Sequence, residues 1–110
     1  MSSLSTHVLD TVSGRPASGV VFRLLSSGKV LFSGKTDQDG RCPELRSLPL
    51  TKGLYLLEFD IGDYFRSQGQ QLADPPFLDR VPVAFGLSEE GHAHVPLLAA
   101  PYSYSTYRGS

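Results

Sequence analysis

Two histidines near the C-terminus have the type and spacing needed to transfer protons. His92 and His94 are separated by one residue. In an extended strand such residues share one face and lie about 7 Å apart. A neutral imidazole accepts a proton near neutral pH. A third histidine, His7, lies in another alternating stretch. The opposite face of the His92 strand is apolar enough to be core and carries Ala93, Val95 and Leu97. We therefore expect the imidazoles of His92 and His94 to project away from the interior of the fold, toward solvent or a partner chain.

Arginine and a polar C-terminal segment would complete a site of this kind. Arg41 follows a turn sequence and is a permanent cation, whose planar fork suits oxygens on the edge of a planar ring. Small-domain termini usually fray, but this one keeps an alternating pattern and ends in Tyr107, Arg108, Gly109 and Ser110. Combined with His7 and His94, these groups are suited to adding water to an electron-poor carbonyl of an anionic ring.

Transition-metal binding is an alternative use of the histidines. His92 and His94 would bind a metal with His7 as third ligand, but the sequence offers no suitably spaced carboxylate or second cysteine. We therefore expect no native metal site. His92, beside a glycine turn, is predicted to be a solvated surface residue.

Two other candidate sites have simpler structural interpretations. A calcium loop beginning at Asp37 would require glycine at its sixth position and a carboxylate at its twelfth, but those positions are Cys42 and Leu48. A tight turn, with Gly40 at positive φ, is the better prediction. Cys42 would need a histidine to act as a nucleophile, and a lone cysteine is more often a small buried hydrophobe. The serine-hydrolase pattern G-x-S-x-G is absent.

The elements that must position these residues are predicted to be strands. Short alternating or β-branched stretches occur at 4–10, 20–25, 29–36, 45–50, 53–61, 81–87, 92–98 and 102–107. One short helix is predicted over 64–68, capped by Asp63 and stopped by Gly69, and a turn over 88–91. Pro96 places its strand at an edge or a bulge. Seven to eight strands of this kind indicate an all-β antiparallel sandwich.

Bulk properties limit the function classes. The chain has 110 residues, 40% of them hydrophobic, and a net charge of -1, which is typical of one globular domain spanning residues 1–110. The charge gives no basis for binding nucleic acid or an anionic membrane. With no export signal in the first residues, we expect the cytoplasm, or the peroxisome if the source is eukaryotic.

Seven segments resemble the transthyretin-related family, and within it the 5-hydroxyisourate hydrolases. The resemblance runs from Leu4 to Ser110, with the terminal YRGS as its most specific element. The segments are LSTHVLD at 4–10, GRPA at 14–17, KTDQDGR at 35–41, GDYF at 62–65, VPVAF at 81–85, HVPLL at 94–98 and YSTYRGS at 104–110. One departure is Ala93, where the family usually has a tyrosine. Because Ala93 alternates with His94, we expect the change to affect packing or interface fit.

The resemblance implies a fold, a reaction and roles for residues. It implies a transthyretin-like sandwich, assembled as a homotetramer (a dimer of dimers) with active sites at the dimer–dimer interface. The reaction is hydrolysis of 5-hydroxyisourate to 2-oxo-4-hydroxy-4-carboxy-5-ureidoimidazoline in urate degradation, without a cofactor. His7, Arg41 and His94 match the family's catalytic residues. Substrate binding is implied for His7 and Arg41 and for the tail residues Tyr107, Arg108, Gly109 and Ser110.

Two other function classes remain open at the level of sequence. A carrier would use the same channel to bind a small aromatic ligand, but hormone-carrying transthyretins lack the histidine set and YRGS. A structural sandwich module would more often be fused to other domains. The histidines together with the terminal tetrapeptide favour the enzyme.

Overall fold

The computed structural model describes residues 1–88 and 90–110. Over this part of the chain the secondary structure consists of eight strands, one α-helix and one short 3-10 helix. Their bounds are β1 (Ser2–Asp10), β2 (Arg15–Pro16), β3 (Val21–Ser26), β4 (Lys29–Lys35), the 3-10 helix (Pro43–Ser47), β5 (Gly53–Asp60), α1 (Ile61–Ser67), β6 (Arg80–Leu87), β7 (Gly91–Ala100) and β8 (Ser103–Thr106). None of the described helices is long and apolar enough to cross a membrane.

The strands form two four-stranded sheets. Their orders are β2-β1-β7-β8 and β4-β3-β5-β6. The predicted all-β sandwich is thereby confirmed. Neighbouring strands pair antiparallel except β1 and β7, which run parallel with Ser5 opposite His94 and His7 opposite Pro96. This parallel pair brings the N-terminal and C-terminal histidines onto adjacent strands.

Alternation along β1 fixes which side chains face the core. Leu4, Thr6 and Val8 are buried, whereas Ser5 and His7 lie on the other face and are half-buried. Fully burying an aliphatic side chain stabilises the fold by about 1.5–3 kcal/mol. A one-residue slip would expose Leu4 and Val8 and turn His7 inward. Core packing therefore determines the direction of the His7 side chain.

Two predicted elements have a different secondary structure. Residues 45–50 do not form a strand: Pro43 begins a 3-10 helix, which buries Leu45. Leu45 and Leu50 are both buried, and their five-residue spacing is not the period-2 pattern of a strand. Residues 15 and 16, predicted as part of a turn, form the short edge strand β2. Leu50 keeps only an isolated bridge, to Ser2.

The helix begins three residues earlier than predicted. It starts at Ile61 and its N-cap is Asp60, so the prediction of Asp63 as cap was wrong. Asp60 makes no capping hydrogen bond because its carboxylate binds Arg23, at 2.9 and 3.3 Å. Asp63 instead lies in the first turn, where a negative charge favours the helix dipole. Gly69, at φ +83°, follows the helix as predicted.

Pro96 lies in an inner strand with no shift of register at it, so the predicted edge or bulge was wrong. β7 pairs with β1 on one side and with β8 on the other. Pairing with β8 covers Leu97–Ala100 and resumes only at the bridge between His94 and Gly109. The interruption falls at proline, which has no N–H to donate, and the Pro96 carbonyl accepts a bond from Thr106 Oγ1 at 2.7 Å. The turn predicted over 88–91 includes Glu89, which lies outside the described residues.

Candidate active site

His94 is held from β1 by a serine. Parallel pairing places Ser5 directly opposite His94, and paired residues project from the same face of a sheet. Ser5 Oγ lies 2.8 Å from His94 Nδ1. Because Nδ1 is engaged on the β1 side, Nε2 is the ring nitrogen left for a substrate or a water molecule. His94 is half-buried and projects from the outer face of the sandwich, as the alternation predicts.

The C-terminal tail is tied to the same histidine. Gly109 forms an isolated bridge with His94, in which Gly109 N–H donates to the His94 carbonyl at 2.9 Å. A Cβ atom on Gly109 would overlap His94 Cδ2 and lie 3.0 Å from Cγ. Only glycine permits this approach of the tail to the ring.

Arg41 reaches the site through a tight turn packed on β1. The Asp37 carboxylate accepts hydrogen bonds from the backbone N–H groups of Asp39 at 2.9 Å and Arg41 at 3.1 Å. Gly40 has φ +74°, as predicted, and its carbonyl accepts the Val8 N–H at 2.9 Å. These bonds close the turn and dock it beside His7, which forms an isolated bridge with Arg41.

Electrostatics favour the neutral form of His94. Burial lowers its pKa most, and the charges of Arg41, His7 and His92 lower it further. A hydrogen bond with the Ser5 backbone opposes this shift. Desolvation and nearby cations both penalise imidazolium. Near neutral pH the ring is therefore a proton acceptor, which is the form that a general base requires.

His92 is more constrained than its sequence context indicates. It is exposed, as predicted, but both ring nitrogens have partners: Ser3 Oγ lies 2.6 Å from Nδ1 and Ser5 Oγ lies 2.8 Å from Nε2. Burial, and to a lesser extent the Arg46 charge, lower its pKa. Sequence reasoning missed both serines. The sequence shows only that Ser3 and Ser5 lie on the same face of β1 as His7. That both serines contact His92 follows only when β1 is known to pair with β7.

The other tail residues lie at an adjoining cavity. Tyr107 and Arg108 line a cavity of about 280 Å³ together with His94 and with residues of β6 and β7. The Tyr107 side chain is 61% exposed, and Ser110 is also exposed. Ala93 lines the same cavity and packs partly against the core, on the face opposite His94 as expected. The structure thus brings His7, Arg41, His94 and Gly109 together and leaves the Tyr107 ring open to solvent.

Nucleophilic and metal chemistry find less support in the geometry. Cys42 belongs to the hydrophobic core with 4% exposure, and burial followed by a hydrogen bond to Glu44 raises its pKa. This matches the prediction of a buried thiol, since a nucleophile needs the thiolate. Among residues 1–88 and 90–110, no group of three or more His, Cys, Asp and Glu side chains is placed to hold a metal ion.

The arrangement can therefore activate water beside a fixed cation. His94 supplies a neutral base, His7 a second imidazole, and Arg41 a donor fork for an oxygen that becomes negative. These are the parts needed to add water to a carbonyl group and to stabilise the resulting oxyanion.

Known proteins similar to this chain include 5-hydroxyisourate hydrolases and a transthyretin. The model of the HIUase/Transthyretin family matches residues 4–109. The 5-hydroxyisourate hydrolase of Mesorhizobium japonicum is 50% identical over 97% of this chain and 91% of its own length. The structure of Klebsiella pneumoniae 5-hydroxyisourate hydrolase superimposes with a TM-score of 0.88, at 38% identity and complete coverage of both chains. Sea bream transthyretin in complex with thyroxine gives a TM-score of 0.83 at 30% identity, covering 96% of this chain and 93% of that one.

Proposed function

Because this chain belongs to the HIUase/Transthyretin family, we propose that His7, Arg41 and His94 carry out its hydrolysis of 5-hydroxyisourate. The chain is a hydrolase of that substrate, which places it in urate degradation, with 2-oxo-4-hydroxy-4-carboxy-5-ureidoimidazoline as product. One observation carries the assignment of residues. Burial lowers the pKa of His94, and Arg41 and His7 lie close enough to its ring that their charges lower this pKa further.

His94 is the proposed general base. Its Nε2 takes a proton from water as the water oxygen attacks a ring carbonyl. The carbon–nitrogen bond of the cyclic amide then breaks, and the leaving nitrogen takes up a proton. Support for this role comes from the lowered pKa of His94 and from the tail, which holds the ring through Gly109. A base poised near the working pH contributes about 10²–10⁴-fold to the rate.

Arg41 is proposed to bind the oxygens of the substrate and to stabilise the charge that develops on the attacked carbonyl. Its position is fixed through its own backbone, because Arg41 N–H donates to Asp37 Oδ1 at 3.1 Å. The guanidinium at the end of this side chain offers several N–H donors to an oxygen on which negative charge develops. Arginine also presents two parallel donors to planar oxygens, which lysine does not.

His7 and the tail are proposed to orient the substrate. His7 is adjacent to Arg41 through their bridge, so it is suited to supply the proton for the leaving nitrogen or to position the water. Substrate contacts are assigned to Tyr107, Arg108, Gly109 and Ser110 together with His7 and Arg41. The cavity lined by His94, Tyr107 and Arg108 supports this assignment for the tail.

The assembly, domain and compartment are further parts of the proposal. We propose that residues 1–110 act as one domain, because the family match spans 4–109. Four copies would form a dimer of dimers, with the sites at the dimer–dimer interface. The exposure of Arg41 and of Tyr107 is consistent with a site completed by another chain.

We propose the cytoplasm as the compartment.

A coupled ultraviolet assay tests the proposed function. Urate and urate oxidase generate 5-hydroxyisourate in situ, and the chain should accelerate its disappearance well beyond the spontaneous rate. His94→Asn should remain assembled in sizing chromatography, with turnover reduced about 100-fold or more. Near-normal turnover of this variant would remove His94 from the role of base. A wild-type protein that left the decay rate unchanged would instead favour a carrier.

A further inference from the structure

A chain of hydrogen bonds leads from His94 to the protein surface. We propose that Ser5 is a positioning residue that joins His94 to His92 in a proton relay ending at Ser3. The inference rests on the proposed role of His94 as base, and it adds Ser3, Ser5 and His92 to the machinery of the reaction.

Three short contacts define the relay. Ser5 Oγ lies 2.8 Å from His94 Nδ1 and also 2.8 Å from His92 Nε2. Ser3 Oγ lies 2.6 Å from His92 Nδ1. All three distances fall within the range of normal hydrogen bonds. One serine hydroxyl thus bridges two imidazoles, and a second serine engages the far nitrogen of the outer ring.

With both rings neutral, two arrangements of the protons give an unbroken chain of hydrogen bonds. The Ser5 hydroxyl has one hydrogen and two lone pairs, so in an unbroken chain it donates to one imidazole and accepts an N–H from the other. In the first arrangement His94 Nδ1–H donates to Ser5, Ser5 donates to His92 Nε2, and His92 Nδ1–H donates to Ser3. In the second every bond is reversed, and Ser3 is the first donor. The first becomes the second when one proton moves along each bond, one proton is taken up at His94 Nε2 and one leaves Ser3.

Of these two arrangements, the first prepares His94 to act as a base. With a proton on Nδ1, His94 Nε2 carries a free lone pair. When Nε2 takes the proton of the attacking water, Nδ1–H passes its proton to Ser5, and Ser5 passes its own to His92 Nε2. His92 Nδ1–H then passes its proton to Ser3, whose original hydroxyl proton leaves to solvent. One proton enters the chain and one leaves, so both imidazoles end neutral.

Charges around the relay make this neutral route favourable. Arg41, His7 and His92 act on His94 and oppose its protonation to imidazolium. Arg46 acts in the same direction on His92. Burial, and to a lesser extent these neighbours, destabilise a proton held as a charge on either ring, whereas transfer through Ser5 avoids the charged form. The exposure of His92 gives the far end of the relay access to water.

The direct test compares serine variants by two independent readouts. Nitrogen-15 NMR of histidine rings reports which nitrogen carries the proton, with or without activity. In the wild-type protein His94 should carry its proton on Nδ1. Ser5→Ala should shift that proton toward Nε2 and lower kcat about 10- to 100-fold, the scale for losing the partner of a functional histidine. KM should change little.

Matched variants separate a relay from a structural role. Ser5→Thr keeps the hydroxyl and should restore most of kcat, and Ser3→Ala should lower kcat less than Ser5→Ala does. Ser33→Ala, at an exposed strand serine on the other sheet, should match the wild type. In mixtures of H₂O and D₂O, a plot of the wild-type rate against deuterium fraction should be curved, because several protons move in the transition state. The same plot for Ser5→Ala should be a straight line, because a single proton then moves.

The results that overturn the relay are distinct from those that overturn the function. An unchanged His94 tautomer or an unchanged kcat in Ser5→Ala would refute it, and so would failure of Ser5→Thr to restore activity in a folded protein. If the wild-type protein failed to hydrolyse 5-hydroxyisourate, the proposed function would fall. The NMR comparison would still show whether Ser5 sets the protonation of His94.

Discussion

Gly109 lies against the imidazole of His94 at a distance that leaves no room for a side chain. Its N–H donates to the His94 carbonyl at 2.9 Å, while a Cβ atom at position 109 would lie 3.0 Å from His94 Cγ and closer still to Cδ2. The tail and the proposed base therefore position one another. A C-terminal segment that would otherwise fray is held at the site by this contact.

Gly109→Ala should lower kcat/KM by about 100-fold, because a displacement of about 1 Å at a catalytic group costs that much. The added methyl group must push either the ring or the tail aside. Gly86→Ala is the matched control, because Gly86 lines the same cavity as His94 but its Cβ would meet its nearest atom, Leu54 Cδ2, at an ordinary contact distance of 3.6 Å. Steady-state kinetics of both variants give the comparison. Equal activity of the two would show that the close approach is not required.

Arg41→Gln should change both the rate and its pH dependence. Loss of a donor to the developing oxyanion is expected to lower kcat by about 10²–10³-fold. The Arg41 charge also lowers the pKa of His94. Removing it should raise that pKa, reduce the neutral fraction at a given pH, and move the acidic limb of kcat/KM to higher pH. Arg66→Gln, at an exposed arginine on α1, is the control. An acidic limb that stays in place would contradict the coupling.

Stability should fall as the pH drops below about 6.5, the ordinary pKa of histidine. Burial and neighbouring charges lower the folded-state pKa values of His92 and His94, so the unfolded chain binds more protons in that range. Linkage then requires that the free energy of unfolding decrease as the pH falls through the folded-state values. Above the unfolded-state pKa of about 6.5, the two histidines make their full contribution to the free energy of unfolding.

Urea unfolding at pH 7.5 and 5.5, at one fixed protein concentration, measures this dependence. The double variant His92→Asn, His94→Asn should lose less stability between the two pH values than the wild type loses. An identical loss in both proteins would assign the pH dependence to other groups.

Tyr64→Phe should destabilise the fold without affecting turnover. Tyr64 Oη donates to Asp10 Oδ2 at 2.8 Å in a buried contact, and Asp10 Oδ1 accepts the N–H groups of Val12 and Ser13. Burial raises the pKa of Tyr64, which keeps the phenol protonated as a donor. Removing it leaves a buried carboxylate oxygen unpaired, at a cost of about 1–3 kcal/mol.

Urea unfolding measures that loss, and Tyr104→Phe, at an exposed tyrosine, is the control. Its free energy of unfolding should change by less than about 0.5 kcal/mol, as for most surface substitutions. A Tyr64→Phe protein as stable as the wild type would mean that water replaces the lost donor.

Local patterns in the sequence were enough to predict on which face of a strand or in which turn the site residues lie. Alternation along 4–10 predicts that Leu4 and Val8 lie on one face of the strand and His7 on the other, and the structure has this arrangement, with Leu4 and Val8 in the core. The turn at Asp37–Gly40 was also predictable, because glycine at positive φ and an aspartate that binds the following N–H groups are local features. Both depend on residues a few positions apart.

Local patterns were insufficient where long-range packing competes with them. Residues 45–50 do not form the predicted strand, because their first part belongs to the 3-10 helix Pro43–Ser47, which buries Leu45 in the core. Pro96 could occupy an inner strand because β8 stops pairing where proline lacks a donor. Neither outcome is visible without the neighbouring elements.

The sequence by itself determined which residue types this protein places on the outer face of its strands: two proton-transferring imidazoles, an arginine after a fixed turn, and serines in alternation with His7. Only the tertiary structure decided that β1 runs parallel to β7, so that Ser5 meets His92 and His94 across 87 and 89 positions of the chain. The physical reason is that side-chain alternation follows from the geometry of a single strand. Strand partners and register, in contrast, are set by hydrogen bonds and core packing between segments far apart in sequence.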